Sequence, residues 1–110
     1  MQWLVLAPAA VAEALTRHGH KVHSPEELTP PPDDLLKAAS EKQWDVITTD
    51  GKLAMSPFET QRWFKRSIVY LQSSEPDAVD RLFARYKRLS PGRLYTVTAS
   101  RVKIRQLPTR

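Results

Sequence analysis

The stretch 44-WDVITTDGKL-53 decides the fold of this 110-residue chain. Val46 and Ile47 form a short apolar run flanked by residues that favour strands, and Asp50-Gly51 follows as a strong turn signal. The stretch therefore predicts a buried strand that ends in an acid. In an open α/β sheet, ligands collect beyond the carboxyl ends of the strands, so Asp50 is a candidate metal or substrate contact. A turn aspartate bonded to its own backbone is the alternative interpretation.

The first segment of the chain predicts strand, helix and strand. Residues 2–6, QWLVL, form an apolar run typical of a central strand that is buried on both faces. Residues 9–18, AAVAEALTRH, are rich in helix formers, and Gly19 follows where a helix often ends in a left-handed conformation. Residues 21–24, KVHS, predict a brief second strand.

A proline-rich segment then predicts an extended linker that cannot be helical, from Pro25 through the triple proline at residues 30–32. Asp33 and Asp34 mark the start of a second helix that continues to about Lys42, because negative charge in the first turn complements the helix dipole. The strand of the opening stretch comes next. The order β-α-β-α-β predicts a parallel sheet with right-handed crossovers.

Beyond Asp50 the pattern predicts a loop over residues 51–57 and a short helix over residues 58–65, with Phe58 and either Trp63 or Phe64 packed inward. Residues 67–71, SIVYL, predict another buried strand.

The clearest amphipathic helix follows Ser74, which resembles an N-cap paired with Asp77, and ends at residues 90–92. Its apolar stripe comprises Val79, Leu82, Phe83, Tyr86 and Leu89, while Arg81, Arg85 and Arg88 lie on another face. In the tail, two short strands that turn near residues 99–100 predict an antiparallel hairpin, with Arg101, Lys103 and Arg105 on one face and Val102 and Ile104 on the other.

Composition limits the possible functions. The length corresponds to one domain, and the absence of cysteine excludes disulfides and thiolate metal sites. The apolar N-terminal segment is too short to span a bilayer, so the expectation is a soluble protein of the cytoplasm without membrane contact. Residues 1–55 carry 5 Lys/Arg and 8 Asp/Glu, a net charge of −3, whereas residues 56–110 carry 12 and 4, a net charge of +8. The second half is therefore a candidate for contact with polyanions.

The order and spacing of these pieces resemble the small PIN-like proteins, a bacterial and archaeal group of unknown function related to PIN-domain nucleases. The resemblance covers nearly the whole chain as one domain, residues 1–110. It rests on the segments MQWLVLAPAAVAEAL, RHGHKVH, PDDLLKAA, VITTD, SIVYL and PGRLYTVTASRVKIRQLP. It implies an α/β fold of the PIN-like three-layer sandwich type, in which helices cover both faces of a mainly parallel central sheet and a C-terminal β-hairpin follows.

The resemblance also implies a carboxylate cluster at the strand ends that holds Mg²⁺ or Mn²⁺ for phosphodiester hydrolysis, since Mg²⁺ takes oxygen ligands. Two positions depart from that pattern. Relatives close the first strand with an Asp where this chain has Leu6, and Lys52 replaces the acid that follows the equivalent of Asp50. Asp33, Asp34 and Asp50 remain as candidate catalytic residues, with Asp50 and Asp33 as the candidate metal ligands. Helix capping is the alternative role of Asp33 and Asp34.

The basic half offers candidate nucleic-acid contacts, with Trp63 and Tyr95 available for base stacking. These cations are Arg62, Lys65, Arg66, Arg81, Arg85, Arg88, Arg101, Lys103 and Arg105. His18, His20 and His23 lie close together in the sequence, but a helix end followed by a strand does not make them converge, so structural roles are expected rather than metal binding.

The sequence favours a catalytically degenerate PIN-like domain that binds RNA, DNA or a protein partner through its basic half. Two alternatives stay open. One is a Mg²⁺- or Mn²⁺-dependent endoribonuclease of the toxin–antitoxin type with a reduced carboxylate site. The other is a non-enzymatic interaction module that forms a homodimer through an exposed sheet edge or helix. No cofactor other than these ions is expected.

Overall fold

The computed structural model describes residues 1–30, 32–61, 64–72 and 76–108. These residues form one sheet with helices on both faces. The strands are β1 (Gln2–Leu6), β2 (Lys21–His23), β3 (Asp45–Thr48), β4 (Ile68–Leu71), β5 (Arg93–Val97) and β6 (Val102–Gln106). The α-helices are α1 (Ala9–Arg17), α2 (Leu35–Glu41), α3 (Gly51–Glu59) and α4 (Pro76–Arg85), and a short 3-10 helix (Pro25–Glu27) follows β2.

The strands lie in the order β2-β1-β3-β4-β5-β6. All neighbours from β2 to β5 are parallel, and β5 pairs with β6 in antiparallel fashion. The predicted parallel arrangement of the first half and the predicted C-terminal hairpin are both confirmed. The chain passes outward from β1 to β2 and then returns to β3 on the other side of β1, so the direction of winding reverses between β1 and β3.

Two separate apolar cores flank the sheet, because successive strand residues point to opposite faces. On one face, Trp3 and Ile47 pack in a core with α1 and α4, and this face is called the α1/α4 face. On the other, Leu4 and Val46 pack in a core with α2 and α3, and this face is called the α2/α3 face. All four side chains are 0% exposed. The α/β three-layer sandwich expected from the sequence is therefore confirmed.

Helix α3 occupies residues that were predicted to be a loop, and that prediction was wrong. Asp50 begins the helix, since its Oδ1 accepts a hydrogen bond from the Lys52 N–H at 2.9 Å. The apparent turn signal is therefore an N-cap. The helix ends at Glu59, so among the described residues of the helix predicted over 58–65 only 58 and 59 are helical, and both belong to α3. Phe64 is buried as predicted, at 1% exposure, whereas residue 63 lies outside the described residues.

Pro57 inside α3 is the reason why the sequence suggested a loop. Proline lacks the N–H that would bond to the carbonyl four residues earlier, which belongs to Leu53. The Ser56 hydroxyl donates a hydrogen bond to the Leu53 carbonyl at 2.8 Å instead. Because the oxygen keeps a partner, the helix continues through the proline.

The linker after β2 also differs from its prediction, because it contains the 3-10 helix although helix was excluded there. Pro25 occupies the first position, where the N–H that proline lacks has no intrahelical partner anyway. The Ser24 N–H donates to Glu27 Oε2 at 2.6 Å and holds the turn. Residue 31 of the triple proline lies outside the described residues.

Helix α4 ends at Arg85, before the predicted stop at residues 90–92. Tyr86 and Leu89 therefore follow the helix, although Leu89 is still buried. Asp77 lies in the first turn as predicted, while the predicted N-cap at residue 74 lies outside the described residues. Within the part of the chain that the structure describes, no helix is long and apolar enough to cross a membrane.

Candidate functional site

The reversal of winding between β1 and β3 marks the crevice where open α/β sheets most often bind ligands. Leu6 closes β1 there and is followed by Ala7 and Pro8, so β1 brings no ionisable group to the crevice. The end of β3 supplies Thr48, which is buried, and Asp50, which is exposed. One carboxylate therefore stands at a position where metal-dependent hydrolysis needs several.

Asp50 is committed to local structure. Its carboxylate caps α3, and its own N–H donates to the Thr48 hydroxyl at 2.9 Å. Gly51 comes next and lies under the Tyr70 hydroxyl, so close that a Cβ added there would be 2.9 Å from the Tyr70 oxygen. A larger residue at the first position of α3 would therefore require the Tyr70 side chain to shift. Lys52 follows and is exposed, which places a positive charge beside the carboxylate.

The other candidate carboxylates begin α2. Asp34 is the N-cap of that helix, and its Oδ1 accepts a hydrogen bond from the Lys37 N–H at 3.1 Å. Asp33 precedes it and is exposed. Across the described ranges, which include Asp33, Asp34 and Asp50, no three His, Asp or Glu side chains form a group that could hold a metal ion. Asp34 and Asp50 both cap helices, and binding of Mg²⁺ or Mn²⁺ by Asp50 and Asp33 stays a prediction.

Two of the candidate cations are engaged within the protein. The Arg66 guanidinium donates to Asp45 Oδ2 at 3.2 Å, and Arg81 Nη2 donates to the Thr98 carbonyl at 3.1 Å. Both side chains also bury an Nε atom that has no partner among the described residues. Arg66 and Arg81 therefore hold parts of the fold together, and their contact with nucleic acid stays a prediction.

Two of the remaining cations lie on α4 or just after it. Arg85 is exposed, with its guanidinium carbon 5.9 Å from the centre of the Tyr86 ring, and Arg88 is exposed beyond the end of the helix. Lys65 is exposed between α3 and β4. Residue 62 lies outside the described residues, so the predicted contact at Arg62 has no structural description.

The hairpin holds the other three cations. Arg101 is exposed in the turn that precedes β6, while Lys103 and Arg105 alternate along β6 and are both exposed. Strand pairing places Arg105 opposite Leu94, which belongs to the α2/α3 core, so Lys103 and Arg105 project from the α2/α3 face. The Arg105 guanidinium lies 3.8 Å from the centre of the Phe58 ring on α3. The predicted segregation on one face of the hairpin is confirmed for Lys103 and Arg105, whereas Arg101 lies in the turn.

A polar row that sequence reasoning missed leads to this basic strand. Strand pairing aligns Thr48, Tyr70, Thr96 and Lys103 across four neighbouring strands on the α2/α3 face. Tyr70 and Thr96 are half-buried. The signal was present in the sequence as one polar residue near the carboxyl end of β3, β4 and β5 and near the amino end of the antiparallel β6. The alignment depends on register, which a single sequence does not provide.

Tyr95 cannot serve as the predicted stacking platform. Its side chain is 1% exposed on the α1/α4 face, and its hydroxyl accepts a hydrogen bond from the Ser90 N–H at 2.8 Å. Packing in the core beneath α1 and α4, with the Tyr86 ring 5.7 Å away between centroids, accounts for the burial. The other predicted platform, Trp63, lies outside the described residues.

The three histidines have separate partners. His18 Nε2 lies 2.7 Å from Asp80 Oδ1 on α4. The Trp3 indole N–H donates to His20 Nδ1 at 3.0 Å, and burial lowers the pKa of His20 below its usual 6.5. His23 contacts Glu27 Oε1 at 3.0 Å, and this hydrogen bond lowers the pKa of Glu27.

His23 also stacks on the Trp44 ring with centroids 3.8 Å apart, and its Nε2 lies 2.8 Å from the side-chain oxygen of Gln2. It is thereby fixed at the edge of the sheet. The imidazoles of His18, His20 and His23 therefore each form hydrogen bonds with different residues of the protein.

The one charged side chain that is buried among the described residues also lies away from the predicted site. Asp45 opens β3 at the amino edge of the sheet and is 2% exposed. Its Oδ1 accepts hydrogen bonds from the Ser67 N–H at 2.9 Å and the Ser67 hydroxyl at 2.8 Å, and its Oδ2 accepts from Arg66. The carboxylate therefore links β3 to the segment before β4, at the end of the sheet opposite Asp50.

Two hollows stand out on the described surface, and the second reaches Leu6 and Ala7 at the end of β1. One of about 740 Å³ runs along α2 and is lined by charges of both signs, among them Asp34, Glu41, Lys37 and Lys65. The other, of about 560 Å³, lies between α1 and the 3-10 helix and has mostly small apolar walls with Glu26 and Glu27. The first hollow mixes charges of both signs, whereas the two glutamates give the second a negative charge. Comparisons with protein-family models, with curated proteins and with solved structures found no match for the chain.

Proposed function

We propose that this chain is a non-hydrolytic domain that binds single-stranded nucleic acid on the α2/α3 face of its C-terminal hairpin. One observation carries the proposal. Lys103 and Arg105 are both exposed on the same face of β6, and Arg105 is stacked on Phe58. Two cations on one strand beside a partly exposed aromatic ring suit a phosphate backbone and its bases.

The polar row extends this surface. Thr96 lies beside Lys103 on the neighbouring strand, and Tyr70 lies beside Thr96 on the next one. Hydroxyl-bearing side chains therefore extend from Lys103 toward the centre of the α2/α3 face. Hydroxyls bind phosphate and sugar oxygens without reading sequence. Residues two apart on a strand are roughly 6–7 Å apart, close to the spacing of successive phosphates in an extended single strand, so Lys103 and Arg105 suit adjacent phosphates.

The carboxyl edge of the sheet supports binding rather than hydrolysis. Asp50 is used as a helix cap, and the neighbouring strand ends in Leu6. The small PIN-like family suggested by the sequence would place its metal at this edge, so the proposal is that of a degenerate member of that fold type. A chain of this kind would hold a strand of nucleic acid and leave it intact.

The test is fluorescence anisotropy with a labelled single-stranded RNA at several salt concentrations. Binding should weaken steeply as salt increases. Lys103→Gln or Arg105→Gln should each make the negative slope of log K against log salt shallower by about 0.7, the value for one lost phosphate contact. Arg85→Gln is the matched control, since Arg85 is equally exposed but lies on α4. Absence of binding at low salt, or an equal loss in the control, would overturn the proposal.

A further inference from the structure

Strand β6 is the last strand of the sheet, so its outer edge is not paired with another strand. Two hydrogen bonds establish which of its residues face outward. The Thr98 N–H donates to the Arg101 carbonyl and the Leu107 N–H donates to the Gly92 carbonyl, both at 2.9 Å. Hydrogen-bonded pairs alternate along an antiparallel ladder, so residues 101, 103, 105 and 107 bond toward β5.

Val102, Ile104 and Gln106 consequently direct their backbone N–H and C=O groups away from the sheet. No described residue hydrogen-bonds to these groups. Ile104 is also 40% exposed, one of two large apolar side chains with such exposure in the described part of the chain, the other being the N-terminal Met1. An edge strand with open backbone groups and an exposed apolar residue is a template for strand addition.

The charges on β6 determine what can be added. A second copy of the chain is disfavoured, because antiparallel β6–β6 pairing centred on Lys103, Ile104 or Arg105 sets cation opposite cation in each case. The other edge strand, β2, begins with a further cation, Lys21, so pairing β6 with β2 of a second copy gives no better match of charges. An added strand with carboxylates opposite Lys103 and Arg105 and an apolar residue opposite Ile104 satisfies both the charges and the exposed side chain.

We infer that the outer edge of β6 binds an extended acidic segment of a protein partner, which adds to the sheet as a seventh strand. The outward groups of Val102, Ile104 and Gln106 supply the backbone hydrogen bonds, and Lys103 and Arg105 select for alternating acids. The inference stands apart from nucleic-acid binding, because it requires backbone pairing along the edge as well as the two cations.

The probe is a labelled, end-blocked peptide of sequence TEVEVET, and the control is TKVKVKT. Wild-type protein should bind the acidic peptide and not the basic one. The double variant Lys103→Glu/Arg105→Glu should reverse this preference, which loss of folding cannot mimic. Failure of the wild-type protein to bind TEVEVET at millimolar concentration, or an unchanged preference in the double variant, overturns the inference.

A proline substitution tests the backbone pairing. Ile104→Pro removes an outward N–H and leaves the β5–β6 ladder intact, because proline is compatible with an edge strand at such a position. It should weaken peptide binding about tenfold, as expected for one lost hydrogen bond, whereas Ile104→Val should bind like the wild type. Thermal unfolding followed by circular dichroism verifies that both variants fold. Equal affinity of the folded Ile104→Pro and Ile104→Val proteins would contradict strand addition.

Hydrogen exchange measured by NMR distinguishes binding of the peptide from binding of a nucleic acid. The bound peptide should slow exchange at the amides of Val102, Ile104 and Gln106 while leaving Lys103 and Arg105, which already bond to β5, little changed. Single-stranded RNA bound to the same cations should give no such alternation. If only the RNA binds, the inference about the edge is wrong and the proposed function stands. If only the peptide binds and gives this alternation, the inference about the edge stands and the proposed function is wrong.

Discussion

Replacement of Asp50 by alanine measures whether this carboxylate serves the fold. The substitution removes the oxygen that accepts the Lys52 N–H at 2.9 Å and leaves the first turn of α3 without its cap. Loss of an N-cap costs about 1 kcal/mol of unfolding free energy, within a range of roughly 0.5–2 kcal/mol. Asp50 is exposed, so water can bond to the freed N–H, which places the expected cost near 1 kcal/mol or below.

A loss of 1 kcal/mol lowers the melting temperature of a domain of this size by roughly 4–8 °C. Urea and thermal unfolding of three variants at Asp50 give the comparison. Asp50→Ser and Asp50→Asn keep an acceptor, so both should lose only a few tenths of a kcal/mol from the interaction with the helix dipole.

Helix α2 supplies the matched control. Asp34→Ala should cost about 1 kcal/mol, because Asp34 caps that helix, whereas its exposed neighbour Asp33 can be replaced by alanine at almost no cost. None of these substitutions should alter RNA affinity. A melting temperature for Asp50→Ala equal to that of the wild type, or equal losses for Asp33→Ala and Asp34→Ala, would refute the assignment of these carboxylates to capping.

Three further outcomes are expected. Asp45→Ala should cost about 3 kcal/mol in urea unfolding, the low end for a broken buried ion pair because Arg66 is 34% exposed, and Asp45→Asn should cost clearly less; equal costs would contradict this. The folded pKa of His20 lies below 6.5, so its stabilising contribution is complete above pH 6.5 and is lost as the pH falls through the folded value. Wild-type stability should thus fall more than that of His20→Asn between pH 8 and pH 5, and parallel curves would argue against it. Gly51→Ala and Tyr70→Phe should be coupled by about 1 kcal/mol in a double-mutant cycle, because the added Cβ meets the Tyr70 hydroxyl; additivity would show that the contact relaxes freely.

The parts of the fold that were predictable from sequence are those where local pattern and burial agree. Strand β1 is an apolar run that is buried in both cores, and α1 places Val11, Ala14 and Leu15 on one face before Gly19, whose φ is +81°. Helix α3 was missed because its two strongest local signals, Asp50-Gly51 and Pro57, usually break structure. The Ser56 hydroxyl that makes Pro57 acceptable acts through a contact that only the folded helix reveals.

The candidate site was predictable only as residue types. The sequence identified Lys103 and Arg105 from their alternation, and the structure places them on one face as expected. The sequence could not show that Arg66 and Arg81 donate hydrogen bonds to Asp45 and Thr98, since those partners lie 21 and 17 residues away in the chain. Long-range pairing therefore gives intramolecular partners to charges that composition alone cannot distinguish from solvated ones.

The contact between Arg81 and Thr98 ties the tip of the hairpin to α4. The Thr98 hydroxyl accepts a hydrogen bond from the Arg101 N–H at 3.1 Å and closes the same turn from within. A terminal hairpin without such ties would fray, and any ligand would first have to order it at an entropic cost. Here these contacts hold the hairpin backbone in the free protein, so β6 presents its edge preorganised and less binding energy is spent on ordering that backbone.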